Sequence, residues 1–151
     1  MEPYKKIANL LWETSSSNHT STAKLDIMPK NVNKLLVANR GEIALRVVRT
    51  AREMGIPTVA VYAEQDRHAQ YVQMADDAYL LSGDTYKDTY LNEDLLIDIL
   101  QRSGADAVHP GYGFLSEVAS FAQKVLDAGA RGSARIRRRF VLRRQIDEPA
   151  A

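Results

Sequence analysis

The chain has 151 residues, 45% hydrophobic and 26% charged, with a formal net charge of +1 and no cysteine. That length suits one domain with a sizeable core, and the missing thiols exclude disulfides and cysteine nucleophiles. The small net charge conceals a split, because residues 129–151 hold seven arginines and two acids while the rest holds 13 basic and 17 acidic residues.

Residues 1–30 read as a disordered extension. Ile7, Leu10 and Leu11 are followed by a Ser, Thr, Asn and His run from Thr14 to Thr22 with nothing to bury. The first 27 residues lack the apolar core of a signal peptide and no stretch approaches a membrane span, so a cytoplasmic protein without membrane contact is expected. His19 has no second ligand at zinc-site spacing and reads as solvated, as does His68.

Residues 34–54, KLLVANRGEIALRVVRTAREM, spell a strand, a turn and a helix. Leu35 to Ala38 form an apolar run without alternation, as in a strand buried on both faces of a parallel sheet. After Asn39-Arg40-Gly41 the period becomes helical. Ile43, Val47, Ala51 and Met54 are expected to face the core, with Glu42, Arg46, Arg49 and Glu53 on another side. Gly55 and Pro57 mark the end of this helix. One glycine at a helix start does not make the three-glycine fingerprint of a dinucleotide site, and Glu42 would repel a phosphate there.

A second buried strand follows at Thr58 to Tyr62, then a polar loop from Glu64 to Arg67. A short helix over Ala69 to Ala75 is expected to turn Val72 and Met74 inward, and a third strand spans Ala78 to Leu81. Asn92 caps a helix whose buried stripe is Leu95, Leu96, Ile99 and Leu100, in which Asp98 and Arg102 can pair and which Gly104 closes. Asp106 to His109 form a fourth strand, ended by Pro110. The loop Gly111-Tyr112-Gly113-Phe114-Leu115 leads to Ser116 as expected N-cap of a helix burying Val118, Phe121, Ala122, Val125 and Leu126 and ended by Gly129.

This order predicts an α/β fold, an open and mainly parallel sheet with helices on both faces. Ligand-facing loops then leave the carboxyl ends of the strands, gathering Asn39-Arg40-Gly41, the loop after Tyr62, and Gly111 to Phe114 along one edge. The glycines of the last loop let a backbone come close to a ligand. Tyr112 and Phe114 suit either a flat apolar wall or packing.

Two blocks, ANRGEIALRVVRTAREMGIPTVAVYAEQDR and AVHPGYGFLSE, resemble the start of a biotin carboxylase domain over about Asn33 to Ala128, and most closely the alpha chain of bacterial acetyl-CoA and propionyl-CoA carboxylases. The resemblance implies a Rossmann-like subdomain preceding an ATP-grasp module, in an ATP-dependent ligase that activates bicarbonate and carboxylates biotin for fatty-acid metabolism. Pyruvate carboxylase is the alternative. By position, Tyr112, Gly113 and Phe114 match the loop near biotin. Arg46, Arg49 and Glu53 match a helix face of the family's homodimer interface, although their spacing equally suits a solvated Arg-Glu pair. Biotin, ATP, Mg2+ and bicarbonate are the ligands implied, and a biotin carboxyl carrier domain and other carboxylase subunits the partners.

The expected domain covers residues 31–129. Residues 130–151, ARGSARIRRRFVLRRQIDEPAA, carry no phosphate loop, no metal-ligand pair and no strand of normal length. They read as an Arg-rich aberrant tail, as after a shifted reading frame. A nucleic-acid arm is disfavoured because the preceding domain is acidic. A fragment inactive alone is therefore expected, with no catalytic or metal-binding residue of its own. A non-catalytic partner of intact carboxylases, or a nucleic-acid-binding module, are the competing readings.

Overall fold

The computed structural model describes residues 32–132. The expectations for residues 1–30 and for the arginine-rich stretch beyond residue 132 lie outside them.

Among the described residues five strands form one sheet: β1 (Leu35–Val37), β2 (Thr58–Tyr62), β3 (Asp77–Leu80), β4 (Ala107–His109) and β5 (Arg131–Gly132). Their spatial order is β3-β2-β1-β4-β5, and every pairing is parallel. Among the described residues four α-helices cover it: α1 (Gly41–Glu53), α2 (Gln70–Met74), α3 (Glu93–Ser103) and α4 (Ala119–Asp127). Alternate residues of the central strands serve opposite faces, as a pleat requires. Val37 and Ala60 pack with Ala44 and Val48 of α1 and Tyr71 of α2. Leu36, Val59 and Val61 pack instead with Leu96, Ile99 and Leu100 of α3 and Phe121 and Val125 of α4. Each such large side chain contributes about 2 kcal/mol when fully buried. The expected doubly covered sheet is thus observed.

Sequence and structure differ in several places. Leu126 of α4, expected in the buried stripe, is exposed because its neighbour Val125 takes the inward position, and Leu95 and Val118 are half-buried. In α1 the buried residues are Ala44, Val48 and Ala51, while Ile43 and Val47 are half-buried and Met54 is exposed. Small side chains let the helix approach the sheet, and Met54 already belongs to the turn that closes α1. There Gly55, at φ +72°, donates to Arg52 O and Ile56 donates to Ala51 O, which satisfies the last carbonyls. In α2 the buried residue is Tyr71, with Val72 and Met74 half-buried. Ser116 is not the cap of α4: a 3-10 turn over Phe114–Glu117 intervenes, Ser116 is buried within it, and Val118 stands at the cap position without a side-chain bond. Beyond α4, within the described residues, Arg131 and Gly132 pair with Ala107 and Val108.

The amino ends of the strands are tied by side chains. Asp106 accepts from the backbone N–H groups of Asn33 and Lys34, each at 3.0 Å. Burial alone would raise its pKa, but these bonds outweigh that and hold it below the ordinary carboxylate value. Asp76 accepts from Thr58 N at 2.7 Å. Cross-links at this end leave the loops at the carboxyl ends as the place for a site.

Candidate functional site at the carboxyl edge of the sheet

β1 and β4 are neighbours, so the turn after one meets the loop after the other. Asn39 is fully buried at this junction. Its side-chain amide donates to Pro110 O at 2.7 Å and to Tyr112 O at 2.9 Å, and its Oδ1 accepts from Arg40 N at 2.8 Å. Every hydrogen-bonding atom of that amide has a partner, as a buried polar group requires. Gly111 lies against it at φ +65°, where a Cβ would come within 2.4 Å of Ile43 Cγ2 and 3.0 Å of Asn39 Nδ2. Only glycine fits.

Arg40 points toward the loop after β2. Its Nε and Nη2 bind the two carboxylate oxygens of Asp66 at 2.7 and 2.6 Å, and its Nη1 donates to the Tyr86 hydroxyl at 3.2 Å. Asp66 is buried, with 8% of its surface exposed. Tyr90 donates to the same carboxylate at 2.6 Å and accepts from Ala63 N at 2.9 Å, and the Tyr71 hydroxyl lies 3.2 Å away. The Arg40 guanidinium, with Tyr90, holds the Asp66 carboxyl below its usual range, and Asp66 in turn raises Arg40. Desolvation pushes the Tyr71 and Tyr90 phenols up, so both are neutral across the physiological range. This buried network escaped the sequence reading. Its bonded partners are separated by 19 to 46 residues, and no local pattern marks Asp66 as buried.

The three segments expected along one edge are therefore joined by hydrogen bonds through Asn39 and Arg40. Of the three residues expected near a ligand, Tyr112 and Gly113 are exposed, Tyr112 at 64%. Gly113 has φ +70° and ψ −167°, and no atom lies within 4 Å of where its Cβ would stand. Phe114 is half-buried: its ring stacks on Tyr90 at 5.4 Å and meets Tyr86 edge-on at 5.5 Å. A fixed backbone carrying an unpacked aromatic ring and an open glycine suits a flat ligand approaching from solvent.

Arg46, Arg49 and Glu53 lie elsewhere, on the exposed side of α1. The pair that forms there is Glu42 with Arg46, at 3.9 Å. Among the described residues, Arg49 and Glu53 form no ion pair.

Among the described residues, no group of three or more His, Asp or Glu side chains could hold a metal ion. Asp66, the buried acid of this edge, is already bound by Arg40 and Tyr90. These donors do not fit a magnesium-nucleotide complex. No helix among the described residues is long and apolar enough to cross a membrane.

Residues 31–131 match the family described as biotin carboxylase, N-terminal domain. The biotin-dependent acyl-coenzyme A carboxylase alpha3 subunit of Mycobacterium leprae is 55% identical over 98 residues, 65% of this chain and 16% of that protein. Biotin carboxylase 1 of Bacillus subtilis is 53% identical over 92 residues, 61% of this chain and 20% of its own length. Among solved structures, the biotin carboxylase domain dimer of Hydrogenobacter thermophilus 2-oxoglutarate carboxylase, in complex with MgADP, ADP and bicarbonate, matches with TM-score 0.65 and 48% identity. That match covers 67% of this chain and 22% of the other. The chain thus spans less than a quarter of the length of each.

Proposed function

The chain belongs to the biotin carboxylase N-terminal domain family, a family of ATP-dependent ligases, and on that premise we propose that its 31–131 domain forms the biotin-facing wall of a biotin carboxylase site. The observation carrying this reading is the pairing of an immobilised backbone with an exposed ring. The Tyr112 carbonyl is held by Asn39 while its side chain remains in solvent. Biotin, when bound, supplies the ureido nitrogen that takes the carboxyl group.

The protein's own contribution at that edge is to bind and orient. Tyr112 offers an apolar face, Gly113 lets the ligand approach the backbone, and Phe114 anchors the far end of the loop. ATP, Mg2+ and bicarbonate are assigned to groups outside these residues. We therefore expect the 151-residue polypeptide alone to show no bicarbonate-dependent ATP hydrolysis. A carrier domain bearing biotin, other carboxylase subunits, and a homodimer through Arg46, Arg49 and Glu53 complete the proposal, with cytoplasmic location. The carboxyl acceptor is left at the class of acyl-coenzyme A or 2-oxo acid substrates, since the relatives' names include an acyl-coenzyme A carboxylase and a 2-oxoglutarate carboxylase.

The reading is tested by replacing Tyr112 with Ala in a biotin carboxylase carrying this domain. A rise in KM for free biotin with KM for ATP unchanged supports it. Equal loss toward both substrates, or no change, overturns it.

A further inference from the structure

Phe114 is the only non-glycine residue with positive φ among the described residues, at +42°. A bulky side chain leaves the left-handed region unless its surroundings over-determine it. Those surroundings are two tyrosine rings, and both tyrosines are tied to one carboxylate. Tyr90, on which Phe114 stacks, donates to Asp66 Oδ2 at 2.6 Å. Tyr86, which meets Phe114 edge-on, accepts from Arg40, and Arg40 grips Asp66 with two bonds. The Arg40 guanidinium also lies 5.9 Å from the centre of each tyrosine ring.

We propose that Asp66 is a positioning residue for the 110–114 loop: by fixing Arg40 and Tyr90 it holds the aromatic pair that keeps Phe114 left-handed, and so sets how Tyr112 and Gly113 are presented. Asn39 holds the front of the loop through Pro110 and Tyr112. The aromatic clamp holds its rear. Gly113, between them, then has one conformation rather than many. Asp66 itself touches no part of the loop and acts through Arg40 and Tyr90.

This inference concerns loop order and stands whether or not the ligand is biotin, so its failure would leave the biotin reading intact. The test is residue-resolved amide hydrogen exchange on the full chain, comparing Gly111 and Ser116, whose N–H groups donate to His109 Nδ1 and Gly113 O at 3.0 Å each, with the core amides of Val59 and Val61. Asp66→Asn keeps the shape and removes the charge that holds Arg40. It is expected to speed loop exchange by about tenfold or more with core exchange unchanged. Phe114→Leu, which cuts no buried polar bond, is expected to do the same by removing the stack. In the Phe114→Leu background, Asp66→Asn should add nothing further, because the clamp has lost its object. Loop and core exchange rising together in both variants, loop exchange unmoved by either, or full additivity of the two would overturn the proposal. If Asp66→Asn does not fold, Phe114→Leu compared with Tyr86→Phe decides it: the second should also loosen the loop and leave the core unchanged, and an unmoved loop in both refutes the clamp.

Discussion

The side-chain amide of Asn39 reaches 2.9 Å to the carbonyl of Tyr112, a residue 73 positions later in the chain. A second hydrogen of the same amide reaches Pro110 O at 2.7 Å. Asn39→Asp would replace this donor with a carboxylate facing two carbonyls. Loss of about 3 kcal/mol is expected, from two broken hydrogen bonds and an unpaired buried charge. Chemical denaturation of the purified chain measures it. Asn39→Asp unfolding at the parent denaturant midpoint would show that the amide does not secure the loop.

Gly111 and Gly113 have similar φ values but different surroundings. A Cβ at Gly111 meets Ile43 Cγ2 at 2.4 Å, whereas one at Gly113 meets nothing within 4 Å. Gly111→Ala is expected to cost about 3 kcal/mol, adding overpacking to backbone strain, and Gly113→Ala about 1 to 2 kcal/mol from strain alone. Ile43→Ala should rescue part of the first and none of the second. Thermal melts of the single and double variants decide it, and equal losses at the two glycines would refute the steric account.

Stability should fall at both ends of the pH scale for reasons on one network. The Asp66 carboxyl is held below its unfolded value near 3.9. Its contribution is complete above about pH 4 and is lost as pH falls through the lower folded value. The phenols of Tyr71 and Tyr90 are raised. Their contribution is complete below about pH 10 and disappears as pH rises beyond it, when the unfolded chain ionises first. Denaturation midpoints measured against pH should show a plateau between. In Asp66→Asn the acid limb should flatten, and an unchanged acid limb would exclude Asp66 as its source.

The proposed interface role of the exposed row on α1 makes it matter for association and not for folding. Glu42 and Arg46 stand 3.9 Å apart with both side chains about four-fifths exposed, at 82% and 79%, and pairs of this kind add little. Arg46→Ala should leave the melting temperature of the 151-residue chain unchanged. In a dimeric carboxylase carrying this domain, Arg46→Glu should shift sedimentation toward monomer. An unaltered dimer would remove this row from the interface.

Periodicity made most of the fold legible. Asn92 was readable as a cap, and its Oδ1 accepts from Leu95 N at 3.1 Å. Gly104 was readable as a terminus and has φ +69°. In the α1 stripe Ala51 was read correctly, but Ile43 and Val47 were preferred to their neighbours Ala44 and Val48, because periodicity favours bulky apolar side chains while the sheet selects the small Ala44 for close approach. The loop 110–114 was visible from its glycines and from its place after a strand. What holds it was not visible: Asp66 looks like any loop acid until β1 and β2 stand side by side and bring Arg40 to it. Ser116 misled because a polar residue ahead of an apolar stripe resembles a cap, and the intervening 3-10 turn leaves no comparable signature.

The most direct test of the central claim is a domain exchange. In Bacillus subtilis biotin carboxylase 1, the 92 residues that match this chain at 53% identity are replaced by this chain's own. Biotin-dependent and bicarbonate-dependent ATP hydrolysis is then measured with free biotin. The account predicts turnover within about tenfold of the parent enzyme, abolished or shifted to high biotin concentration by Tyr112→Ala. A chimera that folds and dimerises like the parent yet shows no biotin-dependent turnover would contradict it.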